Sequence, residues 1–289
     1  MTDTTTGTDP LLRVEHLDVE FPGRGWRAEP LRALRDVSID IAPGECLGLV
    51  GESGSGKTTL GRAILGLVPA AAGSIEFDGG RLDGMPRRER RRLSSEIQVV
   101  FQDPYTSLNP SMSVGDILAE PLTASGVSRR DARSRIAELL EAVNLPADAA
   151  SRLPREFSGG QRQRVAIARS LALRPRLIVC DEPVSALDLS TQARVLDLFI
   201  EIQERTGVAY LFVSHDLQVV RHISHRVAVM YHGEIVETGP GDKVTSEPDH
   251  PYTRRLLLAA PVPDPAQQAR RRDARQRLAS VSAETTHER

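Results

Sequence analysis

The stretch "GLVGESGSGKTTLGRAI", Gly48 to Ile64, constrains this chain more than any other. An apolar run leads into a loop of glycine and serine, and a lysine and two threonines then open a helical pattern. Within it "GESGSGKT", Gly51 to Thr58, fits G-x-x-x-x-G-K-[ST] at every specified position, between a strand and a helix as that motif requires. Glycines there let the backbone wrap a polyphosphate, so that successive N–H groups and the positive end of the next helix point at it. The expected cradle is Gly51, Glu52, Ser53, Gly54, Ser55, Gly56, Lys57, Thr58 and Thr59. Lys57 is placed to reach the β- and γ-phosphates and the Thr58 hydroxyl to ligate Mg²⁺. A bare Gly/Ser turn with Lys57 merely solvated is the competing reading, and the strand–loop–helix context favours phosphate.

Around this loop the hydrophobic pattern changes character. "LRVEHLDVEFPG" and "LRDVSIDIAPGE" alternate like strands and end at turn signals, which predicts a small antiparallel layer at the N-terminus. From Cys46 onward the apolar runs are short and unbroken: "CLGLV", "IQVVF", "LIVC", "AYLFVSH" and "RVAVM". Separated by helical stretches, they predict strands buried on both faces of a parallel sheet. Between "VVFQ" and "LIVC" helix-compatible segments dominate, so a helical subdomain is expected over about residues 103–176. The expected organisation is a disordered tail over 1–10, a core over 11–239 and a C-terminal extension over 240–289 with one helix and a mobile end.

Composition narrows the function classes. The 289 residues are 40% hydrophobic, ample for a packed core of about two domains' worth at the usual ~150 residues each. A formal net charge of −2 lacks the general positive excess of a nucleic-acid coat. No apolar run approaches the ~18 residues that span a bilayer, and the polar start is no signal peptide. The expectation is a soluble, unsecreted chain that serves a membrane only through a partner. Cys46 and Cys180 sit in or beside strand-like runs, which favours packing over redox chemistry. Two cysteines cannot supply the four thiolates of an iron–sulfur cluster. The basic run "RRERRR", Arg87 to Arg92, reads as a solvated helical face rather than a nucleic-acid contact.

A nucleotide site that does chemistry also needs a carboxylate for the metal and a group to align water. "RLIVCDEP" brings Asp181 and Glu182 to the carboxyl end of a buried strand, where open α/β sheets place their ligands. Asp181 is the candidate Mg²⁺ ligand and Glu182 the candidate general base. Taken alone, the pair reads equally well as a helix cap. "EFSGGQRQRVAIARSLAL" adds a second small-residue loop, Ser158 to Gly160, before a helix, and an ordinary capped helix is its plain reading.

In order and rough spacing, "GESGSGKT", "FQDP", "FSGGQ", "LIVCDE", "SALD" and "VSH" resemble the motifs of ATP-binding-cassette (ABC) ATPases across Phe21 to His215. The resemblance implies an α/β fold: a P-loop NTPase (RecA-like) core with an N-terminal antiparallel β layer and an inserted helical subdomain. It implies ATP and Mg²⁺ as ligands. Gln102 is similar to the family's Q-loop glutamine, which touches the metal or water and senses the γ-phosphate. His215 is similar to its switch histidine, and Ser185, Ala186, Leu187 and Asp188 resemble its D-loop. "FSGGQ" departs from the usual LSGGQ only at Phe157. By resemblance, Ser158, Gly159, Gly160 and Gln161 act on the ATP held by a partner, self or paralogue, in a head-to-tail dimer. Phe21 stands where the family carries its adenine-stacking aromatic, with Trp26 as the alternative.

"VVFQDPYTSLNPSMSV" and "EPDHPYTRRLLLAAPVPDP" resemble the ATPase subunits of oligopeptide, dipeptide and nickel importers. That resemblance implies integral membrane permease subunits, an indirect solute-binding protein and a peripheral position on the cytoplasmic face of the membrane. Non-transport relatives, such as a subunit of phosphonate carbon–phosphorus lyase, carry similar stretches. An ABC ATPase acting on nucleic acid or ribosomes predicts paired cassettes or a coiled-coil insert, and the sequence shows neither. A plain P-loop kinase or GTPase leaves "FSGGQ" without a role. Tyr105, Leu108 and Met112, in the loop after Gln102, are expected to fill a docking groove for the permease, with packing inside the helical insert as the alternative.

Overall fold

The two alternating segments near the N-terminus pair as expected: β1 (Leu12–Phe21) runs antiparallel to β2 (Leu31–Ile41). This computed structural model describes residues 9–23, 29–103 and 107–259, so Trp26, Tyr105, the first residues and the chain's end lie outside it. β4 (Ala72–Phe77) and β5 (Gly80–Arg81) complete a four-stranded sheet in the order β2-β1-β4-β5. Strict alternation in β1 breaks once, with a register shift between Val14 and Leu17 around His16 at φ 50°. The bulge keeps Val14, Leu17 and Val19 all facing inward despite their uneven spacing.

The unbroken apolar runs are β3 (Cys46–Val50), β6 (Ile97–Val100), β7 (Leu177–Asp181), β8 (Ala209–Ser214) and β9 (Arg226–Tyr231). They form a sheet ordered β10-β9-β3-β8-β7-β6, parallel throughout except for β10 (Glu234–Pro240), which folds back antiparallel on β9. Side chains alternate between faces. Leu177, Val179, Leu211 and Val213 join a cluster with the N-terminal sheet, whereas Ile178, Cys180, Tyr210 and Phe212 face the helices. There Phe199 meets Tyr210 and Phe212 edge-on, with ring centroids 5.5 Å from each. Cys46 and Cys180 are fully buried, and burial pushes the Cys46 thiol up to about 12.

Helix α1 (Lys57–Ile64) follows β3, and α2 (Arg87–Leu93) precedes β6. After β6 come α3 (Val114–Ala124), α4 (Arg129–Ala142), two 3₁₀ turns (Ala147–Ser151 and Pro154–Glu156) and α5 (Gly159–Leu171). Ser113, Ser128 and Ser158 each cap a helix by accepting the N–H of the third helical residue. This helical segment shares one hydrophobic cluster with the sheet face, so it is not an independently cored unit. Then follow α6 (Leu189–Thr206), α7 (Leu217–Ile223), α8 (Gly241–Ser246) and α9 (Pro251–Ala259). Among the described residues no helix is long and apolar enough to cross a membrane.

The solvated reading of the basic run needs correction at Arg90. Its guanidinium donates to the carbonyls of Ile64 at 2.6 Å and Leu82 at 2.8 Å, with longer contacts to Leu65 and Ala63. The Ile64 and Leu65 carbonyls lie past the last i→i−4 bonds of α1, and a fork of N–H donors reaches them together with Leu82. Arg88, Arg91 and Arg92 remain exposed.

Candidate active site

The phosphate loop leaves β3 and is pressed against neighbouring backbone. A Cβ at Gly51 would lie 2.2 Å from the Met230 carbonyl oxygen, and one at Gly56 2.8 Å from that of Ala33. Gly54, at φ +82°, faces open space instead. The loop is therefore backed by protein on one side and free on the other. Helix α1 begins at Gly56 with no side-chain cap, which leaves its first N–H groups available to an anion. Ser55 Oγ is buried in the loop without a partner. Lys57 Nζ donates to the carbonyls of Gly51 and Glu52, both at 2.8 Å, folding the side chain back along the loop. Burial lowers its pKa, opposed by the charges of Glu182, Asp181 and Glu52. A buried ammonium beside the uncapped start of α1 fits a polyanion.

The strand order β3-β8-β7 brings the carboxyl ends of three distant segments side by side. Thr58 Oγ1 donates to Asp181 Oδ1 at 3.0 Å across 123 positions of sequence. Burial raises the pKa of Asp181, and the Thr58 hydrogen bond works against that rise. A hydroxyl and a half-buried carboxylate joined in this way are a hard-oxygen pair that fits Mg²⁺. Next to it Glu182 adopts φ 48° while its N–H donates to the Val213 carbonyl. This uncommon backbone turns the carboxylate toward the end of β8, where Glu182 Oε2 and His215 Nδ1 are 2.9 Å apart.

The remaining candidates divide into two groups. Ser158 accepts the Gln161 N–H at 3.3 Å and Gln161 Oε1 accepts the Ser158 N–H at 2.9 Å, a reciprocal cap on α5. This turn packs on the segment from Ser185 to Asp188: a Cβ at Gly159 would sit 3.6 Å from Leu187, and one at Gly160 only 2.3 Å from Thr191 Cγ2. Asp188 caps α6 through the Thr191 N–H at 3.0 Å, and the hydroxyls of Ser190 and Thr191 hold its carboxyl below the usual range. The "FSGGQ" and "SALD" stretches thus share one surface of this chain, apart from the contacts made by the phosphate loop. Gln102 follows β6 and is exposed, with no described contact to Thr58 or Asp181. Phe21 ends β1 half-buried against the inter-sheet cluster, and Ala186 is exposed.

The docking expectation for Leu108 is overturned: the side chain is buried in the helical cluster, with Met112 packed partly against it. Its apolar character serves cohesion of the insert. Among the described residues the exposed large apolar groups in this region are Leu67 and Phe101, which line a groove of about 290 Å³ with Leu65, Leu93 and Val99. Two further residues at the site escaped the sequence reading. The Arg169 guanidinium of α5 donates to the Ser107 carbonyl, five residues beyond Gln102. Tyr252 Oη accepts the N–H of Glu52 in the phosphate loop at 3.0 Å. "HPYT" marked Tyr252 only as a subfamily feature, because nothing local links it to a loop 200 positions away.

Residues 34–185 match the ABC transporter family, more than half of the chain, and the chain belongs to it. Residues 236–286 match the C-terminal region of oligopeptide/dipeptide transporters. The chain is 50% identical over 270 residues to the glutathione import ATP-binding protein GsiA of Escherichia coli, covering 92% of this chain. It is 50% identical over 267 residues, 91% of this chain, to the protein of that name from Pectobacterium atrosepticum. It spans 43% of the length of each. Among solved structures it resembles cbiO1 of Clostridium perfringens, part of the ABC transporter complex cbiONQ, with a TM-score of 0.75 and 27% identity over 87% of this chain and 96% of that one. It also resembles the dimeric ATP-binding cassette MJ0796 bound to ADP and Pi, with a TM-score of 0.71 and 29% identity over 79% of this chain and 98% of that one.

Proposed function

We propose that this chain is the ATP-hydrolysing subunit of an ABC importer for a peptide or a related small solute. The observation that carries the reading is the pair of short contacts at adjoining strand ends, Thr58 to Asp181 at 3.0 Å and Glu182 to His215 at 2.9 Å, beside a glycine-lined phosphate loop. Lys57 and the main-chain N–H groups from Ser53 to Thr59 hold the triphosphate. Thr58 and Asp181, with Gln102, hold Mg²⁺, which when bound neutralises charge on the phosphate oxygens. Glu182 accepts a proton from the attacking water as the γ-phosphoryl group passes to it, yielding ADP and inorganic phosphate. His215 keeps the Glu182 carboxylate oriented and contacts the γ-phosphate. Phe21 stacks on the adenine.

The surface formed by Ser158, Gly159, Gly160 and Gln161 closes over the ATP of a second cassette, self or paralogue. Support comes from Leu189, which follows Asp188 on that surface with 84% of its area exposed, as an apolar group awaiting a partner would be. The groove at Leu67 and Phe101 receives a cytoplasmic segment of a membrane permease, holding the chain peripherally at the membrane. Phe101 directly precedes Gln102, and Arg169 ties the segment beyond Gln102 to the helix that carries Ser158. Loss of the γ-phosphate at one site is thereby felt at both surfaces.

Glu182→Gln tests the reading. It keeps ATP binding and lowers turnover by on the order of 10²–10⁴-fold. Near-normal hydrolysis by that variant would remove Glu182 from its role, and failure of the parent chain to bind ATP would remove the reading altogether.

A further inference from the structure

We propose that Tyr252, in the C-terminal extension, is a positioning residue that pins the phosphate loop in its nucleotide-ready shape. This rests on the reading that ATP binds that loop.

The pin is built rather than incidental. Glu237 accepts the N–H groups of Asp249 at 2.7 Å and His250 at 3.1 Å, which fixes the start of α9 at its first residue, Pro251. His250 Nδ1 accepts the Tyr252 N–H at 3.2 Å, so the "DHPYT" stretch is locked one turn long before the tyrosine projects. The phenol ring is buried to 2% exposure in a cluster with Val50, Leu217, Val229 and Val244. It lies against Tyr231, centroids 4.1 Å apart, and only its hydroxyl reaches the Glu52 N–H. Tyr231 leads into the turn whose Gly233 N–H donates to the Ser55 carbonyl at 2.9 Å. The loop is therefore held at two points, Glu52 by the Tyr252 hydroxyl and Ser55 by the Gly233 main-chain N–H.

Binding energy depends on how much of the loop population is already in the competent shape, because the apparent dissociation constant is the intrinsic one divided by that fraction. Phenylalanine in place of Tyr252 keeps the ring packing and leaves the Glu52 N–H with no acceptor. The loop then has to be ordered by the nucleotide itself. Tyr252 touches no reacting atom, so the effect falls on binding and not on the chemical step.

The experiment compares the full parent chain with Tyr252→Phe and Leu256→Ala. Leu256→Ala trims a partly buried contact of α9 one turn beyond Tyr252 without removing the hydroxyl. Nucleotide affinity is read by equilibrium titration with a fluorescent ATP analogue, steady-state hydrolysis by KM and kcat, and loop protection by amide hydrogen exchange of the Gly51–Ser53 peptide. The expected result for Tyr252→Phe is roughly 3- to 10-fold weaker nucleotide binding and a matching rise in KM, with kcat within about 2-fold of the parent. Exchange becomes faster in the loop peptide but not in β8, and Leu256→Ala leaves all of these near parent values. Unchanged affinity or unchanged loop exchange in Tyr252→Phe overturns the proposal, as does an equal loss in Leu256→Ala. A parent chain that binds no nucleotide defeats the ATP reading instead, while the exchange measurement still reports on the pin.

Discussion

Arg90 offers the most direct test of how this chain holds its phosphate-loop helix. Arg90→Met keeps the apolar stem and removes the fork that serves Ile64 at 2.6 Å and Leu82 at 2.8 Å, together with the longer contacts at 3.3 and 3.4 Å. Hydrogen bonds to a charged donor contribute ~1.5–3 kcal/mol each. The site is half-exposed, so water recovers part of that for the freed carbonyls, and a net loss of about 3 kcal/mol is expected. For a chain of this size that corresponds to a melting point lower by roughly 6–12 °C. Arg90→Lys retains the charge but gathers its donors on one nitrogen, without the planar fork that spans Ile64 and Leu82, and recovers less than half of the loss. Gly66→Ala matches Arg90→Met from the other side: its Cβ would lie 1.9 Å from Arg90 Nε at a backbone φ of +69°. Urea unfolding followed by circular dichroism measures all three. Parent-like stability of Arg90→Met, or full recovery by Arg90→Lys, would refute the capping argument and return the arginine run to a solvated face.

Three further outcomes follow from the same geometry. Leu189→Glu places a charge on the surface proposed to meet a second cassette; sedimentation in ATP with Glu182→Gln as background should show pairing lost while nucleotide binding persists, and undiminished pairing would move the interface elsewhere. Leu67→Ser should abolish transport in the assembled complex and leave basal ATP hydrolysis of the isolated chain intact, and equal loss of both would assign Leu67 a packing role. With the Cys46 thiol pushed to about 12 and Cys180 also raised by burial, neither forms thiolate at pH 8, so iodoacetamide should label the chain only after unfolding. Labelling of the native protein would show that the sheet opens at these strands.

The features legible in the sequence are those that rest on short-range physics. Alternation of two marks β1 and β2, unbroken apolar runs mark the parallel strands, and the spacing of "GESGSGKT" is a property of one loop and one helix start. Family order then assigned roles to Asp181, Glu182 and His215, and the strand order β3-β8-β7 sets Asp181 beside Thr58 and Glu182 beside His215. What only the tertiary structure decided is which apolar or basic residue faces what. Leu108 and Phe101 have the same local credentials, yet the first packs among helices and the second stands at a groove. Arg90 differs from its exposed neighbours in "RRERRR" only by pointing at the last turn of a helix 26 positions earlier. Tyr252 reaches Glu52 because β9, β10 and α9 return the chain over the phosphate loop. Periodicity records whether a side chain is buried on its own element; it carries no record of which distant element is brought against it, since that is settled by the packing of the whole chain.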